Sequence, residues 1–168
     1  YRNELTGTQK GIASLVYDYS DGNAEFDVTT AGYYISTVHL TERQLYLELT
    51  SPKELYGHVF VIDASHGGED TGSSAYGVME KDAVLQLAQA IAKKADANGD
   101  GGFYLTRNED ESVSEEDREK LVSLLAPDLY MTFGVNADGD TRITNGISAV
   151  VNNPDDAKSV EKLISVIA

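Results

Sequence analysis

Four consecutive apolar residues, Val59-Phe60-Val61-Ile62, run into the glycine-rich stretch Ser65-His66-Gly67-Gly68. A strand with no polar face needs cover on both sides, which an open antiparallel ribbon does not supply. The segments that follow are alternately helical and extended in pattern. Val84, Leu87, Ala88, Ile91 and Ala95 recur at i, i+3, i+4, i+7 and i+11, the stripe of an amphipathic helix that stops at Asn98-Gly99. Phe103 to Thr106 reads as a short strand. Ser114 caps a second helix, with Asp117 at the third helical position and Leu121, Leu124 and Leu125 on its inner face. Leu129 to Phe133 is the next strand and opens into the loop Gly134 to Asp140. Gly146 to Val151 is another. Asn153-Pro154-Asp155-Asp156 starts a last helix, with Val160, Leu163, Ile164 and Ile167 as its buried stripe. This order predicts an α/β fold, a mainly parallel twisted sheet flanked by helices. Ligands of such sheets bind beyond the carboxyl ends of the strands, so the loops at His66 and Gly134 should face one crevice.

The residues before Ser51-Pro52 follow a different period. Leu45, Leu47 and Leu49 alternate with Tyr46, Glu48 and Thr50, as in a half-buried strand. Tyr33 to His39 is rich in aromatic and β-branched residues, and Ile12 to Tyr17 and Glu25 to Thr30 are further strand candidates. Asp21-Gly22-Asn23 and Ala31-Gly32 are turn signals between them. The expectation is a β-rich segment, 1–56, with four meandering strands and no helix period over its first fifty residues, followed by an α/β part, 57–168.

Composition narrows the partners. The 168 residues carry 28 acidic and 13 basic side chains, a net charge of −15. That disfavours nucleic acids and anionic membranes, which need a basic patch. No apolar run reaches membrane-spanning length. There is no cysteine, hence no disulfide, thiolate metal site or cysteine nucleophile. The chain opens on Tyr1, as a trimmed piece of a longer protein would. Oligomeric state is not legible.

Two motifs compete for attention. Asp96-Ala97-Asn98-Gly99-Asp100-Gly101 resembles the first half of an EF-hand calcium loop, but its twelfth position, normally a bidentate Glu, is Arg107. An ordinary helix-to-strand turn explains the same residues. The Gly67-Gly68 loop lacks the Lys-Ser/Thr ending of a phosphate-binding loop and the spacing of a dinucleotide fingerprint. Arg107 itself reads as a structural ion-pair partner.

Taken together, several segments resemble the zinc-dependent N-acetylmuramoyl-L-alanine amidases, bacterial cell-wall hydrolases. Val61 to Gly72 is similar to the family's opening strand and Gly-His-Gly-Gly loop. Glu80-Lys81-Asp82 is similar to the start of its first long helix, and Leu105-Thr106-Arg107 to its Leu-Thr-Arg. Val113-Ser114 with Glu116 and Arg118 follows its next helix start loosely. Asp128 to Phe133 resembles its third strand, and Gly146-Ile147 the start of a further one. The resemblance implies an amidase-like α/β fold that is incomplete at its C-terminal side. It implies a zinc held by two His and one Glu, and hydrolysis of the amide between N-acetylmuramic acid and L-alanine in peptidoglycan. Carried over, His66 is the first metal ligand and Glu80 the second. It also implies an extracellular or cell-envelope setting, with a Gram-positive bacterium favoured.

The third ligand of the family stands in Ile-His-Ala-Asn at the end of its third strand. Here the stretch is Phe133-Gly134-Val135-Asn136, with Gly134 where the His belongs. The family's general-base Glu falls beyond the helix that begins at Pro154, past the last residue given. No catalytic residue is therefore assignable. A catalytic zinc needs three protein ligands and one open position, to lower the pKa of its water to about 7. His58 does not substitute: it starts the strand that ends near His66, about 25 Å away at about 3.3 Å per residue. His39 lies in the β-rich segment. Asp138 and Asp140 follow Gly134 closely and are the alternative donors. Three functions remain. The first is an impaired, pseudoenzyme-like domain that acts in peptidoglycan or muropeptide binding or in regulation. The second is an active zinc amidase, with the third ligand from that loop and the general-base Glu from residues past Ala168. The third is an envelope interaction domain without glycan binding.

Overall fold

A computed structural model describes residues 2–6, 11–99, 101–135 and 150. The chain divides into two compact units, Tyr1–Val135 and Asn136–Ala168. Every described element belongs to the first. The expected strand at Gly146 to Val151, the helix from Pro154 and the loop residues Asn136, Asp138 and Asp140 lie outside the described residues.

The α/β part is built on β6 (Val59–Ala64), the middle strand of a parallel sheet ordered β10-β6-β9. Its neighbours are β9 (Gly102–Leu105) and β10 (Leu129–Phe133), with Val61 level with both Tyr104 and Tyr130. Successive side chains of a strand point to opposite faces, and β6 is buried on both. Ile62 and Ala64 pack with Val84 and Ala88 of α2 (Glu80–Asn98), joined by Leu85, Ile91, Phe103 and Phe133. Val59 and Val61 pack with Leu125 of α3 (Glu115–Leu125), joined by Leu121 and Tyr104. The uninterrupted apolar run thus has the cause expected of it. Leu124, expected inside, is exposed instead. Its backbone carbonyl accepts the Tyr33 N–H at 3.2 Å.

Both long helices end as their sequences suggest. Gly99 takes a left-handed conformation after Asn98, and its N–H bonds the Ala95 and Asp96 carbonyls. Asp96 to Asn98 are therefore the last turn of α2, not the open ligand loop of a calcium site. Ser114 accepts from the Asp117 N–H, with Glu115, Glu116 and Asp117 in the first turn, where the helix dipole favours negative charge. A small hairpin, β7 (Ser74–Ala75) and β8 (Val78–Met79), leads into α2. It is too short to show in the sequence pattern.

Among the described residues the β-rich segment contains five strands rather than four, in two separate sheets. β1 (Arg2–Thr6), β2 (Ile12–Ser20) and β3 (Asn23–Thr30) form one antiparallel sheet. The polar sequence of β1 has no alternation to betray it. Asp21 and Gly22 both have positive φ, 51° and 81°, as the tightest hairpin turns require. β4 (Ile35–Leu40) and β5 (Leu45–Thr50) form a second hairpin, with Val38 opposite Leu47 and Leu40 opposite Leu45. A short helix that the period-2 reading missed, α1 (Pro52–Tyr56), joins this segment to β6. Ser51 and Glu54 close its capping box, and Pro52 begins it.

Candidate active site

The carboxyl ends of β6 and β10 meet at the predicted crevice. Ser65, the first residue past β6, gives both its N–H and its hydroxyl to the Phe133 carbonyl of β10, at 3.3 and 2.6 Å. His66 follows with φ +62°, a left-handed backbone that non-glycine residues seldom adopt and that marks many functional loops. This bend turns the imidazole toward the start of α2. There Nε2 lies 3.5 Å from Glu80 Oε1. The His66 imidazole and the Glu80 carboxylate thus lie side by side.

Three further groups hold the pair, and the sequence reading had missed all of them. Asp70 Oδ2 lies 2.8 Å from His66 Nδ1. A proton on Nδ1 then leaves the Nε2 lone pair facing Glu80, the arrangement typical of histidines that bind metals. Its signal was available as a carboxylate four residues after the histidine. Glu80 is nearly fully buried, and its two oxygens accept backbone N–H groups from Val135 at 2.6 Å and Ser73 at 2.9 Å. Backbone donors leave no residue-type signal. Burial alone would raise the Glu80 carboxyl, yet the Val135 and Ser73 donors with His66 hold it below its ordinary value.

Gly134 sits on the third side. A Cβ built there would lie 3.4 Å from Glu80 Oε1 and 3.7 Å from Ser65 Oγ, ordinary contact distances. A side chain at this position would therefore enter the space beside the His66–Glu80 pair. As it stands the pair offers two donors, and glycine offers none. Among the described residues no group of three or more His, Cys, Asp or Glu side chains could hold a metal ion. His39 bonds Glu48 on the exposed β4–β5 hairpin, and His58 faces Asp128 at 3.7 Å near the opposite end of β6. Neither approaches the pair. The described residues thus do not complete the three-donor set of a catalytic zinc.

The surroundings form an open cleft of about 310 Å³, lined by Asp63, Ser65, His66, Asp70, Glu115 and Arg118 among others. Arg118 Nε and Thr106 Oγ1 both donate to Asp63 Oδ1 at 2.7 Å, which stabilises a buried carboxylate in the cleft wall. Among the described residues Arg107 makes no direct ion pair, contrary to expectation. Its guanidinium donates to four backbone carbonyls.

The Asp70 hydrogen bond raises the His66 imidazole above its ordinary value of 6.5, more than desolvation lowers it, and the Glu80 charge adds to the rise. Protonated His66 therefore favours the folded chain. That contribution is fully present below the unfolded value and is lost as pH rises through the higher folded one. In metal-free protein, the urea midpoint of the wild type is expected to fall from pH 6 to pH 9 more steeply than that of His66→Ala. Parallel profiles would show that the Asp70–His66–Glu80 array is absent in solution.

Known proteins share this arrangement of strands, helices and loops. The model of the N-acetylmuramoyl-L-alanine amidase family matches residues 60–166. The amidase AmiC of Escherichia coli O6:H1 is 34% identical over 80 residues, which are 47% of this chain and 19% of AmiC. The amidase CwlM of Bacillus licheniformis is 33% identical over 94 residues, 55% of this chain and 37% of CwlM. The catalytic domain of CwlV, an amidase from Bacillus (Paenibacillus) polymyxa var. colistinus, superimposes with a TM-score of 0.50 at 27% identity, over 53% of this chain and 50% of that one. The chain spans well under half the length of the curated relatives it matches. The family match nevertheless takes in more than half of its 168 residues, and the chain belongs to the N-acetylmuramoyl-L-alanine amidase family.

Proposed function

We propose that this chain is a peptidoglycan-associated amidase-like domain whose catalysis is impaired and whose role is binding or regulation at the bacterial cell envelope. In this reading residues 57–168 are the amidase-like part and residues 1–56 an accessory β-rich segment. The family is zinc-dependent and its substrate is peptidoglycan. His66 and Glu80 are the two metal-site positions the chain retains. The observation that carries the proposal is Gly134, whose Cβ direction points at Glu80 Oε1 with no donor to place there. A metal held by two protein donors is loosely bound and mostly hydrated, and so a poor Lewis acid. Among the described residues no helix is long and apolar enough to cross a membrane.

One observation favours a second reading, an active amidase that cuts the muramic acid–L-alanine amide. His66 is still oriented by Asp70 as a working ligand is, and Asp138 or Asp140 would then supply the third donor. Purified muropeptides incubated with the full-length protein and zinc separate the two. The expected result is retention on isolated cell walls with no release of stem peptide. Release abolished by His66→Ala would establish the active enzyme instead. Absence of both retention and release would leave an envelope interaction domain without glycan binding.

A further inference from the structure

Arg107 is 1% exposed and carries a charge that no carboxylate among the described residues touches directly. A buried cation is costly unless its donors are well occupied, so the partners it has selected are informative. Nε donates to Ala64 O at 3.0 Å, and one terminal nitrogen to Glu109 O at 3.1 Å. The other terminal nitrogen donates twice, to Ser65 O at 3.1 Å and to Lys81 O at 2.7 Å. Ser65 immediately precedes His66, and Lys81 immediately follows Glu80. A single nitrogen therefore ties together the backbone beside both members of the pair. Lys81 Nζ adds a more exposed tether by bonding Gly68 O and Asp110, but it reaches no carbonyl next to His66. A Cβ at Gly67 would stand 3.1 Å from Arg107 Nε.

We propose that Arg107 is a positioning residue that sets the 3.5 Å spacing of His66 Nε2 and Glu80 Oε1 by bridging the backbone on either side of them. This rests on the reading of His66 and Glu80 as metal-site positions. The planar fork of arginine holds these directions at once, whereas the ammonium of lysine is a single point on a flexible stem. The loss expected from Arg107→Lys is therefore geometric rather than one of charge.

The test uses the full chain with Gly134→His as parent, and zinc alone as probe. Zinc affinity and thermal midpoint are measured for the parent, for Arg107→Lys and Arg107→Gln on it, and for a core control, Val61→Ala. Val61 packs against Leu125 on the α3 face of the sheet, away from the pair. The expected result is at least about tenfold weaker zinc binding in a folded Arg107 variant, with the control at parental affinity despite a lowered midpoint. This is the size of effect usual when groups that orient ligands are lost. Parental affinity in the Arg107 variants, or an equal loss in the control, would overturn the proposal. Failure of both Arg107 variants to fold would overturn it too, by assigning the residue to the fold as a whole. If the parent takes up no zinc, it is the metal reading that fails. The spacing is then read without metal, from the ring ¹⁵N shifts of His66 in the otherwise wild-type chain. Loss of its fixed tautomer in Arg107→Lys supports the role, and retention rejects it.

Discussion

Gly134→His is expected to raise zinc affinity about a thousandfold, or about 4 kcal/mol, in a calorimetric titration of metal-free protein. The argument starts from the backbone. Gly134 is not among the glycines with positive φ, so nothing in its conformation excludes an L side chain. Its Cβ would meet its neighbours at 3.4 and 3.7 Å, so no atom has to move. Two donors are in place, one oriented by Asp70 and one by backbone N–H groups. A third donor converts a loosely held ion into one fixed on three sides, with a fourth position left for water. His66→Ala in the same background should abolish the gain. A wild type that already binds tightly, with nothing added by the substitution, would show that residues 138–140 complete the site. The active-amidase reading would then stand.

Gly67→Ala should act in the opposite direction, destabilising the fold by about 3 kcal/mol or more in urea unfolding. Gly67 has φ +134°, and its Cβ would stand 2.1 Å from the Glu111 carbonyl oxygen and 3.1 Å from Arg107 Nε. The carbonyl belongs to a backbone that cannot swing aside as a side-chain tip would. Gly134→Ala serves as the companion measurement and is expected to stay within about 0.5 kcal/mol of wild type. A mild effect at Gly67 would mean that the segment around Glu111 does not close over the His66 loop. The two glycines are identical in sequence notation, yet one is required by space and conformation and the other by neither.

That contrast also marks where the sequence stops being informative. The sheet centre and its helices were legible because burial writes a period, seen in Val59 to Ile62 and in Val84, Ala88 and Ala95. The convergence of His66 and Glu80 was not written in any period. It became visible only through the resemblance of the motifs around them. Arg107 was misread because its partners are carbonyl oxygens, which every residue has and no residue type announces. Val135 and Ser73 escaped for the same reason. β1 and the β7–β8 hairpin were missed because one is polar and the other has two-residue strands. The split of the β-rich segment into two sheets depends on pairing between strands, and alternation within a strand says nothing about that.

The hydrogen bonds around Glu80 have a consequence for the order of events when the chain folds. Among the described residues, no buried side-chain nitrogen or oxygen lacks a partner. Many small metalloproteins leave their ligands unsatisfied until the ion arrives, so that occupancy and folding are one transition. Here Val135 and Ser73 already occupy the carboxylate, and Asp70 the imidazole. Any cation taken up there would be an optional guest rather than a keystone, and a chelator would meet a chain that is folded before and after it acts.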